Sequence, residues 1–146
     1  MTRVLILFGL LCTPFVYAQS IVVDRIISVY DADTFRVDID SWPQIIGKNM
    51  SIRVNGVDAA EIRGKCPSEK RQAKAARDFT RDFLKKGHLI ELRGMKRGKY
   101  FRLIADVYVD GKSLSKELIT LGLARPYDGG HRDGWCTAQA KQNKAL

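Results

Sequence analysis

The sequence predicts a small α+β domain that is mainly β: a five-stranded barrel with one helix between its third and fourth strands and another after the fifth. Two observations predict this fold class. Apolar residues alternate with polar ones in several short stretches, as in half-buried strands. In two other stretches the apolar spacing changes to three and four residues, as in amphipathic helices. With 146 residues and no internal repeat or linker, the chain fits one domain, predicted at 19–146.

Three strands are predicted between Ile21 and Val57. Turn-forming residues separate them at Asp31-Ala32-Asp33 and again from Pro43 to Asn49. Because consecutive strands joined by short turns usually lie side by side, these three are expected to form a meander.

The first helix is predicted from Ser68 to Lys86, and Gly87 ends it. Its apolar positions, spaced by three and four residues, are Ala73, Ala76, Phe79 and Phe83. The rest of the helix surface is basic.

Two further strands and a second helix follow. They are predicted at His88 to Arg93, Phe101 to Val109 and Ser113 to Leu121. The resulting order β-β-β-α-β-β-α matches the partly open Greek-key barrel called the OB-fold. By strand order alone, an SH3-like barrel and an α+β sandwich stay open.

The chain carries a large positive charge. Its 25 Lys and Arg residues outnumber 16 Asp and Glu residues, a formal net charge of +9. Such a surface attracts polyanions, so nucleic acid and an anionic membrane surface are candidate partners, and solubility alone is the simpler explanation. A composition of 45% hydrophobic and 28% charged residues excludes both a disordered polyelectrolyte and a multi-pass membrane protein.

A signal peptide is predicted at 1–18. Arg3 precedes an apolar run from Val4 to Val16, and Ala18 supplies a small residue for cleavage. The run is too short to span a membrane, which takes about 20 apolar residues. We therefore expect a secreted or periplasmic protein without membrane insertion once the leader is removed.

Cleavage would remove Cys12 and leave Cys66 and Cys136. An even pair in an oxidising compartment suggests one disulfide, with two free thiols as the alternative. A zinc site is disfavoured, because His88 and His131 lack the usual ligand spacing.

Carboxylates and arginines follow the predicted strands in a pattern that suggests chemistry. Asp33 and Asp58 are hard oxygen donors suited to a cation such as Ca²⁺. Arg53 and Arg102 could grip a phosphate with forked, permanently charged donors. Glu61 could orient or deprotonate a water. Each feature is weak alone, but together they are the parts that a phosphodiester hydrolase requires.

These motifs resemble those of the staphylococcal nuclease family, also called thermonucleases, from about Val23 to Tyr127. The matching segments, in order, are Asp31-Ala32-Asp33-Thr34, Arg53 with Val57-Asp58-Ala59-Ala60-Glu61, Lys99-Tyr100-Phe101-Arg102, and Gly122-Leu123-Ala124. The family has a threonine at the position of Ala59, a proline at that of Ala60 and a glycine at that of Phe101.

The resemblance implies a role for each residue. Asp33, Asp58 and the Ala59 carbonyl would bind Ca²⁺, with Asp31 as a carboxylate behind them. Glu61 would position or activate the attacking water. Arg53 and Arg102 would neutralise the scissile phosphate, and Lys99 and Tyr100 would bind the neighbouring phosphate or sugar.

The implied protein is a monomeric Ca²⁺-dependent nuclease that hydrolyses DNA and RNA, preferably single-stranded or frayed. Specificity for sequence would be low and the products would carry 3′-phosphates. The alternative is an OB-fold module that binds nucleic acid without cleaving it. A cationic structural protein of the cell envelope is a third possibility.

Overall fold

The computed structural model describes residues 20–136, and the predicted signal peptide at 1–18 lies outside them. The elements in chain order are β1 (Ile21–Val22), β2 (Arg25–Asp31), β3 (Thr34–Asp38), α1 (Gln44–Gly47), β4 (Met50–Val54), β5 (Val57–Ala59), α2 (Pro67–Lys86), β6 (Ile90–Arg97), β7 (Arg102–Val109), β8 (Lys112–Ser113), α3 (Leu114–Thr120) and β9 (Ala124–Pro126). No helix among these residues is long and apolar enough to cross a membrane.

The main sheet closes on itself through its N-terminal segment. Its strands follow the order β1-β6-β7-β4-β3-β2, in which only the β4–β7 pair is parallel. The two outer strands, β1 and β2, are consecutive in the chain. Between them, Val23 N donates to Ile90 O at 2.9 Å and Asp24 N to Asp38 O at 3.0 Å, so the short connection binds both edges. The curled sheet confirms the predicted mainly β OB-fold.

The structure contains more strands than the five predicted. Four additional ones, β1, β5, β8 and β9, have only two or three residues each. Alternation cannot be recognised over so short a stretch. The fourth strand is predicted to end at Arg93, but β6 continues to Arg97. The predicted strand ends too early because Gly94, at φ +58°, lies at a register shift that interrupts the alternation.

Helix α2 packs across β2 and is hydrogen-bonded to the turn that follows β2. Ala73, Ala76 and Leu84 are buried on its inner face. Thr80, fully buried, donates its hydroxyl to the Ala32 carbonyl at 2.8 Å. This bond fixes the β2–β3 turn, on which Asp33 lies.

A disulfide joins Cys66, at the N-terminus of α2, to Cys136, with the two Cα atoms 6.0 Å apart. Linking residues this distant in sequence stabilises the fold by about 4 kcal/mol in the loop-entropy model. The bond also uses both sulfurs, so their cluster with Glu69 offers no thiolate for a metal.

Candidate active site

Asp33 is a buried carboxylate whose two oxygens both have partners. Its Oδ1 accepts a hydrogen bond from Thr34 Oγ1 at 2.9 Å and pairs with Arg53 Nη1 at 2.8 Å. Its Oδ2 accepts from Ala59 N at 3.2 Å. The β3–β4 register, which sets Thr34 opposite Arg53, places the guanidinium beside the turn. Asp33 therefore has a fixed orientation.

Arg53 connects the two predicted cation ligands. Beside the bond to Asp33, its Nη2 lies 4.0 Å from Asp58 Oδ1 and donates to the Val57 carbonyl at 3.3 Å. Asp33 and Asp58, 25 positions apart in the chain, thus face one guanidinium. The fold brings together the carboxylates that the sequence analysis paired.

Asp58 is held by residues that sequence reasoning did not identify. Trp135 Nε1 donates to Asp58 Oδ2 at 3.1 Å, and Arg132 Nη2 pairs with Asp58 Oδ1 at 2.9 Å. Both residues lie close to Cys136 in the chain. The only sequence signal for them was that cysteine, whose pairing with Cys66 brings the C-terminal segment to the site.

Glu61 is more exposed than the aspartates and extends from the loop after β5. Its Oε1 lies 3.2 Å from Arg132 Nη1, so Arg132 bridges Glu61 and Asp58. The loop itself is fixed by Asp31, whose Oδ1 accepts from Ile62 N at 3.1 Å. Asp31 thus holds the backbone next to Glu61.

These residues border an open cleft of about 600 Å³. Its lining includes five of the predicted residues, Asp31, Arg53, Glu61, Lys99 and Arg102. It also contains Tyr30, Thr34, Ile104, Tyr127, Gly129 and Arg132. Asp33 and Asp58 are buried and face Arg53 of this lining, and Ala59, also buried, follows Asp58 in the chain.

Tyr100 is the predicted residue that the structure does not bring to the cleft wall. It is 91% exposed and has a φ of +58°, as does its neighbour Phe101 at +55°. Phe101 lies under the Arg97 guanidinium, 4.3 Å from ring centroid to Cζ, and is not among the residues that line the cleft. The side chain in place of the family's glycine therefore does not fill the cleft.

Arg102 starts β7 opposite Ser51 of β4. Its Nε is buried and has no hydrogen-bond partner within residues 20–136. A buried donor without a partner is costly. Arg102 also lines the cleft, where its guanidinium group is placed to bind an anion.

Burial raises the pKa of Asp33, and the Arg53 guanidinium opposes that rise. Burial also raises the pKa of Asp31, and the nearby carboxylates of Asp33 and Glu61 raise it further. Crowded carboxylates removed from water need positive charge close by to stay ionised. In this structure the guanidinium groups of Arg53 and Arg132 supply it.

The donor set fits a hard cation. Asp33 and Asp58 offer carboxylate oxygens, and the N–H of Ala59, the residue after Asp58, donates to Asp33 Oδ2. Oxygen ligands of this kind suit Ca²⁺. Oδ1 of each aspartate is paired with a guanidinium group in this structure, so a cation that binds Oδ1 of Asp58 would have to displace Arg132.

Comparison with known proteins agrees with this arrangement. Residues 51–145 match the family model described as staphylococcal nuclease homologue, a range that begins after Asp33 and includes Arg53, Asp58, Glu61 and Arg102. Endonuclease YncB of Bacillus subtilis (strain 168) is 33% identical over 108 residues, 73% of this chain and 47% of that protein. The chain thus spans about half the length of this curated relative. The chain belongs to the staphylococcal nuclease homologue family.

Proposed function

We propose that the protein is a Ca²⁺-dependent nuclease that hydrolyses phosphodiester bonds of DNA and RNA with low sequence specificity. One observation carries the proposal: Arg53, Arg102 and Glu61 line a single cleft beside the buried pair Asp33 and Asp58. Membership of a nuclease family and identity to an endonuclease support it.

The arginines would act on the scissile phosphate. Arg53 is held by Asp33, so its orientation is set before substrate arrives. Arg102 lines the same cleft, and its guanidinium group would donate to the phosphate there. Donors oriented in advance toward the charge that develops in the transition state lower the barrier, and the loss of one costs about 10²- to 10³-fold in rate.

Glu61 would orient or deprotonate the attacking water, since it is exposed at the cleft edge. Asp33, Asp58 and the Ala59 carbonyl would hold the cation. A bound Ca²⁺ would supply positive charge that polarises a non-bridging phosphate oxygen. Resemblance to the family suggests cleavage of the P–O5′ bond, which leaves 3′-phosphates.

The substrate would be bound through its backbone. Lys99 and Tyr100 lie next to Arg102 and would contact the neighbouring phosphate or sugar. Phosphate contacts carry no sequence information, which is why low specificity is expected. Helix α2 carries seven Lys and Arg residues against three acidic ones and would attract the polyanion. Single-stranded or frayed ends would enter the cleft most easily.

We further propose that the protein works outside the cytoplasm, secreted or periplasmic, as a monomer. The predicted signal peptide and the disulfide support this location, because disulfides persist in oxidising compartments.

The test is the release of acid-soluble nucleotides from denatured DNA and from RNA by the purified protein. We expect release with Ca²⁺, its loss in EGTA and its return when Ca²⁺ is added back. Undiminished release in EGTA would overturn the metal assignment, and no release under any condition would overturn the nuclease assignment.

A matched pair of variants tests the site itself. Glu61→Gln should lower turnover by about 10²- to 10⁴-fold, the usual contribution of a general base. Glu91→Gln is the control, because Glu91 also pairs with an arginine, Arg93 at 2.8 Å, but on β6 and not at the cleft lining. Equal activity of the two variants would remove Glu61 from the mechanism.

A second candidate is an OB-fold module that binds nucleic acid without hydrolysis. The observation in its favour is Arg132, whose guanidinium pairs with both Asp58 and Glu61. If that pairing persisted, it would block the cation and the water. Tight binding of single-stranded DNA with no nucleotide release at any Ca²⁺ concentration would identify this function.

A further inference from the structure

The two oxygens of Asp58 have different partners. Oδ2 accepts a hydrogen bond from the indole N–H of Trp135, which is 8% exposed. Oδ1 faces two cationic groups, Arg132 Nη2 at 2.9 Å and Arg53 Nη2 at 4.0 Å. One oxygen is bound to a neutral buried donor and the other is directed at positive charge.

The indole is held in place from several sides. Its ring packs with Ala60, Ala73 and Ile62 in a small cluster separate from the main core. The Arg125 guanidinium stacks on the ring, 3.7 Å from its centroid.

The backbone around Trp135 is held as well. Arg125 Nη1 donates to the Asp133 carbonyl at 3.3 Å. Cys136, which follows Trp135 in the chain, forms a disulfide with Cys66 at the start of α2. A donor fixed this firmly can determine how a carboxylate is oriented.

We propose that Trp135 is a positioning residue for cation binding at Asp58. Its N–H holds Oδ2 and thereby presents Oδ1 to the cation, so Asp58 does not need to be ordered when the cation binds. The inference rests on the proposed function, since it takes Asp58 as a Ca²⁺ ligand. Groups that orient a metal ligand in this way change affinity by about 10- to 100-fold when they are removed.

The substitution Trp135→Phe tests the proposal because it removes the N–H and keeps an aromatic ring in the cluster. Ca²⁺ binding without substrate is measured by isothermal titration calorimetry, and folding by circular dichroism. We expect the Ca²⁺ Kd to rise by about 10-fold or more. The thermal midpoint should fall as well, because a hydrogen bond to a buried carboxylate is lost, while circular dichroism still shows a folded protein. Trp42→Phe is the matched control, since Trp42 packs against the main core and should leave the Kd unchanged.

The same control provides a second readout that does not depend on the folding of Trp135→Phe. The chain has two tryptophans, so Trp135 is the only tryptophan that emits in the Trp42→Phe protein. Its fluorescence should change as Ca²⁺ is added, and the Kd from this titration should equal the Kd found by calorimetry.

A Trp135→Phe protein that binds Ca²⁺ as tightly as the unaltered protein would overturn the inference alone. The inference would also be overturned if the emission of Trp135 did not change during a Ca²⁺ titration in which calorimetry records binding. An unaltered protein that binds no Ca²⁺ would overturn the metal assignment together with this inference.

Discussion

The two sides of the cleft differ in how firmly their side chains are held. On one side, which we call the carboxylate floor, Asp33, Arg53 and Asp58 are each bound to at least two partners. On the other side, the loop 99–101 carries Tyr100 at 91% exposure and leads into Arg102, whose Nε has no partner among the described residues. The floor is complete before substrate binds, and the loop side is not.

Because of this difference, substitutions on the two sides should differ in whether they change stability as well as activity. Under the proposed function, a side chain of the floor would contribute to folding and to catalysis at once, because its partners are buried protein groups. A side chain of the loop side would contribute to catalysis or binding only, because its partner would be the substrate. Substitutions of matched chemistry on the two sides should therefore have different consequences.

Among the substitutions that compare the two sides, Arg53→Lys is expected to have the largest combined effect on turnover and stability. Lysine keeps the charge, but its single ammonium group cannot contact Asp33 and the Val57 carbonyl together, as the two Nη atoms of arginine do. We therefore expect turnover to fall by about 10²- to 10³-fold. Losing hydrogen bonds to a charged, buried partner should also lower the free energy of unfolding by about 1.5–3 kcal/mol. Steady-state rates and urea unfolding measure the two effects.

Arg93→Lys is the control for the stability term, because Arg93 pairs with Glu91 at 2.8 Å with 40% of its side chain exposed. This pair is more exposed than that of Arg53 with Asp33, whose side chains are 14% and 3% exposed, so its unfolding free energy should change by less than about 1 kcal/mol. Similar losses of stability in both variants would contradict the distinction between floor and surface.

Arg102→Lys should give a comparable loss of turnover, about 10²- to 10³-fold, without loss of stability. The reason is that no protein partner of Nε is lost within residues 20–136. Arg97→Lys is the matched control on the same side, since Arg97 stacks on Phe101 and does not line the cleft. Near-normal turnover in a folded Arg102→Lys protein would exclude Arg102 from catalysis.

Much of this site could be predicted from the sequence, because its residues sit in local patterns. The turn containing Asp33 and the end of the strand after Arg53 are recognisable from turn-forming residues and alternation, and the resemblance to the family joined them into one site. Strand pairing then brings these segments together, as the register of Thr34 with Arg53 illustrates. The change between two periodicities predicted the order of strands and helices, because long elements make it visible. That order left an SH3-like barrel and an α+β sandwich open, and the resemblance to the staphylococcal nuclease family favoured the OB-fold among them.

Arg132 and Trp135 could not be predicted in the same way. Trp135 reaches Asp58 across 77 positions, and nothing near it in sequence marks it as a partner of a carboxylate. Arg132 follows a glycine-rich stretch with no regular element to define its direction. Their placement depends on the disulfide and on packing against Ala60 and Ala73, which are tertiary effects.

The smallest effect is expected for Tyr100→Ala. Tyr100 projects into solvent beside Lys99, where a nucleotide next to the scissile phosphate could lie against its ring. A stacking contact is worth about 1–3 kcal/mol per base, so KM for single-stranded DNA should rise about 5-fold or more while kcat stays unchanged. Tyr100→Phe keeps the ring and should behave normally. A fall in kcat for Tyr100→Ala would place this residue with the catalytic groups, and the loop side would then be organised before substrate binds, as the floor is.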